Sequence, residues 1–175
     1  MPRDVFLKAY ECAKERYGKY GALQYSHFDD SEELDKQFNH LRELHSVSPD
    51  NIVRPIAIVV DRYGMVGYLA ERARGRSLED IWKTVCKADK EGRRRAGLFR
   101  QATFQMIDTL HTLNQHGLSH GDAAMRNAKV SGSGRVKLFD PIGGGMRMPF
   151  DDAEAIMALL DNIAFASAMI PLVRA

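Results

Sequence analysis

Two aspartates and an asparagine in the stretch HGLSHGDAAMRNAKVSGSGRVKLFDP, residues 116–141, are the side chains of this protein best suited to chemistry. Asp122 is followed five residues later by Asn127, and Asp140 ends the last apolar run of the stretch. Between Asn127 and Asp140 the run Ser131-Gly132-Ser133-Gly134 reads as a turn, with Lys129–Val130 and Val136–Phe139 as the arms of a β-hairpin. A hairpin closes on itself, so Asn127 and Asp140 fall at the same open end of its arms. Amide and carboxylate oxygens, completed by water and phosphate, are what Mg²⁺ prefers. Asp122 then stands on the loop before the metal, placed to orient or deprotonate a hydroxyl.

The elements that must position these groups are readable on both sides. Residues 4–17 place Phe6, Tyr10, Ala13 and Tyr17 at steps of three and four, with Gly18 as a stop, which predicts an amphipathic helix. A short strand over Val5–Tyr10 is the alternative. Ala22–Phe28 reads as a strand. Asp29, Asp30 and Ser31 can cap a helix over 32–46, whose stripe is Leu34, Phe38, Leu41 and Leu44. Pro49-Asp50-Asn51 marks a turn, and Ile52–Val60 is β-rich, with Pro55 predicting an edge or a bulge. Asp61–Gly64 then reads as a hairpin turn into Met65–Ala70. Helical periods take over from Ser77, a cap followed by Glu79 and Asp80. A long helix over 93–116 carries Leu98, Ala102, Met106, Leu110 and Leu113 on one face. Its predicted first turn, Arg93 to Arg95, has the wrong sign for the helix dipole, which marks either a solvated face or a partner surface. A glycine run, Gly143–Gly145, precedes a last helix from Asp151 to Ala168.

Composition bounds the rest. A chain of 175 residues with 45% apolar and 27% charged residues has material for one domain with a core. A formal net charge of +2 is too small to argue for nucleic acid as the main partner. Cys12 and Cys86 are far apart and lack ligand spacing, so neither a disulfide framework nor a zinc site is expected. No segment reaches the ~18 apolar residues of a membrane span, and the charged N-terminus has no signal-like apolar region. The expected location is the cytoplasm, or a host cell reached without a cleaved signal. His45 and His116 show no ligand spacing, and the methionines, Met106 and Met157 among them, read as core filler.

HGDAAMRN resembles the catalytic loop of the protein-kinase-like phosphotransferases, and VKLFDP resembles their metal-binding strand end. The form HGD is typical of the atypical branches, which include small-molecule kinases and minimal bacterial kinases. The resemblance implies an α+β, two-lobed fold with a small lobe over 1–72 and a reduced helical lobe over 73–175. It implies that Asp122 is the catalytic aspartate, Asn127 a metal ligand and Asp140 the principal metal ligand, with ATP and Mg²⁺ as cofactors. SPDNIVRPIAI resembles the lead into the fourth strand, and YLAERARGRSLEDIW resembles the fifth strand, the hinge and the next helix. By that match Glu71 and Ala73 would present backbone groups to adenine. AEAIMALLDNI, preceded by Asp151 and Asp152, resembles the buried helix whose first acidic residue braces the catalytic loop. The likeness runs over about residues 22–168.

The departures carry information too. No glycine-rich loop precedes Lys8, and Gly18 and Gly21 are a faint substitute. VFLKAY puts Lys8 in the place of the phosphate-binding lysine, while a competing register uses Ala22–Phe28 and puts Gln24 there. For the helix carboxylate that pairs with this lysine, Glu33 and Glu43 are candidates, and the stripe puts Gln37 in the usual slot. Gly121 replaces the arginine that reads a phosphorylated activation loop, and only ten residues, 141–150, follow Asp140 before the next helix's acidic pair. The two losses agree, and predict activity that does not depend on loop phosphorylation. With 35 residues after Asp140, the expected helical lobe is truncated. Arg126 stands four residues after Asp122, as in the tyrosine-kinase form of the loop, and is read either as a γ-phosphate contact or as a surface arginine. His120 is read as structural and Phe139 as core. The expected activity is that of a minimal serine/threonine protein kinase of bacterial effector type, with a protein substrate or an activating partner. The alternatives are a small-molecule kinase for a sugar or aminoglycoside-like acceptor, and a pseudokinase scaffold.

Overall fold

The structure, a computed structural model, describes residues 5–10, 23–26, 31–61, 64–87, 89–141 and 149–168. Within them the fold is α+β. Strands β1 (Val5–Tyr10) and β2 (Leu23–Ser26) are followed by helix α1 (Ser31–Val47) and strands β3 (Pro55–Asp61) and β4 (Gly64–Glu71). Next come a short β5 (Arg76–Ser77) and helices α2 (Leu78–Val85) and α3 (Lys90–Gln115). A 3-10 turn (Met125–Asn127), the hairpin β6 (Ala128–Val130) and β7 (Val136–Leu138), and helix α4 (Pro149–Ala168) complete it. One sheet has the order β2-β1-β4-β3, and the second has the order β5-β6-β7. In the first sheet only the β1–β2 pair is parallel.

The helical reading of the N-terminal segment is overturned over Val5–Tyr10. That segment is a strand, paired to β2 on one side and β4 on the other. Its spacing of apolar residues suits either structure, and two non-local ladders decide the outcome against the local period. Residues 11–17, together with Cys12, Gly18 and Gly21, lie outside the described residues. The register sets Lys8 opposite Gln24 on β2 and opposite Tyr68 on β4, so the two positions that compete for the lysine place are neighbours in one sheet. Pro55 opens β3, an edge strand with a register shift between Pro55 and Ala57, as proline's missing N–H requires.

Helix α1 buries Phe38, Leu41 and Leu44 of the predicted stripe, and Gln37 with them, while the side chain of Leu34 lies outside the described residues. Helix α3 starts earlier than its sequence pattern suggests. Asp89 caps it by accepting from the Gly92 N–H at 2.7 Å, which brings Glu91 into the first turn. Arg94 and Arg95 both donate to the Glu91 carboxylate, and these two guanidinium groups pull its pKa down to about 2. The supposed wrong-sign turn is therefore a paired surface cluster. Ala102, Met106, Leu110 and Leu113 are in the core as expected, but Met157 is not core filler: it is largely exposed on α4. Trp82 joins α2 to both long helices, with its ring 4.8 Å from Phe99 and 5.5 Å from Phe165.

The front sheet and the hairpin are stitched together at residues 51–53. The Leu138 N–H donates to the Asn51 carbonyl at 2.7 Å, and the Val53 N–H donates to the Leu138 carbonyl at 3.0 Å. Ile52 and Leu138 are both fully buried at this seam. Among the described residues no helix is long and apolar enough to cross a membrane.

A second joint depends on one glycine. Gly75 has φ +117° before β5, and a Cβ there would stand 2.0 Å from the Val130 carbonyl oxygen of β6. Gly75→Ala should lower unfolding free energy by about 3 kcal/mol through strain and overlap. Gly97→Ala, in open space on α3, should instead raise it by about 0.5–1 kcal/mol. Urea denaturation of the two variants checks both signs.

Candidate active site

The hairpin pairs Ala128 with Leu138, Lys129 with Lys137 and Val130 with Val136. Its turn is closed by the Ser131 N–H donating to the Arg135 carbonyl, around Gly134 at φ +80°. At the open end the Phe139 N–H donates to the Asn127 carbonyl at 3.0 Å. Asn127 and Asp140 are thereby held beside each other through the backbone. Asp140 itself has φ +62°, the only positive φ at a non-glycine among the described residues. Aspartate is one of the few side chains that tolerate this left-handed conformation.

The loop before the hairpin is fastened by side chains at both ends. At its start the fully buried Asp152 of α4 accepts from the His120 N–H at 2.9 Å and from the Gly121 N–H at 3.2 Å. Asp152 is therefore the brace that the sequence left open between two adjacent aspartates; the side chain of Asp151 lies outside the described residues. At the loop's end the Asn127 side-chain Nδ2 donates to the Asp122 carbonyl at 3.0 Å and to its Oδ2 at 2.8 Å. Arg126 Nη2 donates to both Asp122 carboxylate oxygens, at 2.9 and 3.0 Å. The His120 ring is buried completely, and neither ring nitrogen has a partner. Burial pushes its pKa down, against the opposing pull of Asp152, Asp122 and Asp140.

Asp140 faces a cleft with a cavity volume of about 210 Å³ between the front sheet and the hairpin. Leu41, Val53, Tyr68 and Phe139 supply its apolar walls, and Glu71 to Ala73 supply its rim. Phe139, read as core, is half-buried at this cleft. Burial and the neighbouring Asp140 carboxylate push the Tyr68 phenol well above its ordinary pKa. The Glu71 N–H already donates to the Arg54 carbonyl at 2.8 Å, so it has no free hydrogen for a ligand. The Glu71 carboxylate accepts from the Arg54 N–H and from Lys137 Nζ, both at 3.1 Å. Ala73 lies outside the strand ladders, and its backbone groups carry no hydrogen bond among the described residues. Tyr68 and Lys137 were missed by sequence reasoning. The period-2 alternation of β4, which turns Tyr68 and Ala70 to the cleft together, is the signal that could have found the first.

Gln37 donates from Nε2 to the Pro141 carbonyl, directly after Asp140, while its Oε1 is buried without a partner. Glu43, one candidate for the helix carboxylate that would pair with the lysine, is exposed, with its carboxylate 3.9 Å from His40. The side chains of Lys8, Gln24 and Glu33 lie outside the described residues. Asp122 borders a different concavity, a groove of about 380 Å³ between the loop 121–125 and α4. Asn127 thus sits between two openings, bonded to Asp122 through its side chain and to the Asp140 arm through its backbone.

Among the described residues no group of three or more His, Cys, Asp or Glu side chains could hold a metal alone. A site made of one amide oxygen, one carboxylate and phosphate oxygens is a different donor set, whose protein part Asn127 and Asp140 would supply. The Asn127 Nδ2 is committed to Asp122, which leaves Oδ1 as the atom able to meet a cation beside Asp140. The chain matches no family model, and no curated protein is significantly similar to it in sequence.

Removing the brace should be costly. Asp152→Ala strands two N–H groups at a buried position, and about 3 kcal/mol or more of stability should be lost. Urea denaturation measures that loss. The burial of His120 gives a pH signature of its own. Held neutral in the fold, it takes up its proton only on unfolding, so stability should fall as pH drops below about 6.5 and stay flat above. The limiting slope is about 1.4 kcal/mol per pH unit, and His120→Leu should flatten it in denaturation curves at about pH 5 and about pH 7.5.

Proposed function

We propose that this chain is an ATP- and Mg²⁺-dependent phosphotransferase with a minimal, protein-kinase-like two-lobed fold, acting on a protein hydroxyl without phosphorylation of an activation loop. The observation that carries the reading is the position of Asn127. It is bonded to Asp122, which borders the groove, and to the arm that ends in Asp140, which borders the cleft. A nucleotide in the cleft and an acceptor in the groove would meet across that one residue.

In this reading the adenine lies along Glu71 to Ala73 and takes its hydrogen bonds from Ala73, with Glu71 contributing through its carbonyl. Asn127 Oδ1 and the Asp140 carboxylate would hold the metal, which would neutralise charge on the phosphate oxygens. Asp122 orients the acceptor hydroxyl and takes its proton as the new oxygen–phosphorus bond forms and the bond to ADP breaks. Its carboxylate is already gripped by Arg126, exposed enough to turn toward the terminal phosphate once a nucleotide is present. Catalysis of this kind is mainly positioning and electrostatics, so few protein groups are required to supply it. Lys8, opposite Tyr68 in the sheet, is the candidate for a further phosphate contact.

The test is intact mass and thermal shift with ATP and Mg²⁺. Mg·ATP should raise the melting temperature, and phosphate should appear on the chain or on an added protein. Asp122→Asn should cut transfer about 10²–10⁴-fold while sparing nucleotide binding. Asp140→Asn keeps a side chain that accepts positive φ and should abolish the metal-dependent part of the shift. Unchanged transfer in Lys8→Met would remove Lys8 from the site. No shift with any nucleotide would favour a binding scaffold instead.

A further inference from the structure

The groove beside Asp122 has walls of unusual make-up. One wall is the loop 121–125, where Gly121, Ala123 and Ala124 carry at most a methyl group. The other is a face of α4 formed by Ala155, Ala158, Leu159 and Asn162, which recur at the i, i+3, i+4 and i+7 spacing of one helix face. Beside Met125 and Leu159, the small side chains on the two walls leave a channel of about 380 Å³ between them. Among the described residues its outer side is open, since Glu154 and Ala158 are exposed. Sites for small ligands bury most of the ligand surface, and a two-walled channel does not. An extended segment of another chain suits it better.

Charge narrows the occupant. Among the described residues the groove is lined by two formally charged groups, Asp122 and Glu154, and by no Lys or Arg. Asp122 is matched by Arg126 at its edge. Glu154 makes no ion pair among the described residues, so it is the uncompensated charge of the groove. We propose that this groove is the acceptor site and that its occupant is an extended peptide segment carrying a basic residue close to the hydroxyl that enters toward Asp122. The assignment rests on the phosphotransfer reading above, and it adds the place and the charge of the acceptor.

The experiment offers the full chain two short peptides with a single serine, one flanked by lysines and one by glutamates, together with Mg·ATP. Binding of Mg·ATP is followed in parallel by calorimetry. The lysine peptide should be labelled about fivefold faster, a preference of the size one exposed charge supports. Glu154→Lys should reverse the order. Ala158→Trp fills the channel from an exposed helix position, so it should raise KM for the lysine peptide about tenfold with nucleotide affinity unchanged. Equal labelling of the two peptides, or indifference to both substitutions, would overturn the assignment. So would labelling of the amino sugar kanamycin with neither peptide modified, or bound Mg·ATP with no labelling at all. Failure to bind Mg·ATP would be a separate result: it removes the phosphotransfer reading, and the acceptor site with it.

Discussion

The whole site hangs from the buried carboxylate of Asp152. The loop from Leu118 to Ala124 belongs to no helix or strand, so its backbone groups have no ladder to join. A polar group buried without a partner is expensive, and a loop inside a fold must satisfy its N–H groups somehow. Asp152 satisfies two at once, from a helix that is otherwise far along the chain. Gly121 has φ +73° at that point, and its small size lets the chain turn past the carboxylate into Asp122. Once the start of the loop is pinned to α4 and its end is pinned to the hairpin, little freedom remains for the backbone at Asp122.

Charge is then the second constraint. Asp122, Asp140 and Asp152 all act on the buried ring of His120. A fourth carboxylate in the same region would add repulsion without a partner. Position 37, the place where the resemblance leads one to expect a glutamate, holds Gln37 instead. Its amide donates to the Pro141 carbonyl, which a carboxylate has no hydrogen to do. The segment after Asp140 is thus tied to α1 by a neutral hydrogen bond, whose strength does not change as carboxylates titrate. An enzyme of the proposed kind would have the two sides of its cleft coupled without a charge switch, which agrees with Gly121 standing where the resemblance leads one to expect an arginine.

Much of this was legible before any coordinates. The hairpin, the face of α3 and the stripe of α1 are local periodic signals, and each stands in the structure close to where its spacing puts it. The misses share a cause. β1 is a strand because β2 and β4 flank it, and neither partner is near in sequence. The choice between Asp151 and Asp152 turns on one residue, and one residue is about 100° around a helix. Sequence alone cannot say which of two neighbouring carboxylates faces the loop. The engaged N–H of Glu71 follows from Arg54 lying across from it, a contact between segments 17 residues apart. Reading helix α3 from its first arginine missed Asp89, because the cap sits before a lysine that interrupts the acidic pattern.

The two openings differ in how firmly they are built. On the cleft side, Asn127 and Asp140 are related by a main-chain hydrogen bond and by the hairpin ladder beyond it. Backbone geometry of that kind cannot shift without breaking the strand pair. On the groove side, the Asp122 carboxylate is held by Asn127 Nδ2 and by Arg126, and Arg126 is a long side chain with 63% of its surface exposed. That contact can be exchanged for another at small cost, as exposed ion pairs generally can. The asymmetry suits the proposed reaction. The nucleotide and its metal are the same in every turnover and gain from a fixed frame, while a peptide acceptor varies in sequence and gains from a wall that adjusts. The rigid half of the site is therefore the half written in backbone, and the adaptable half is the one written in side chains.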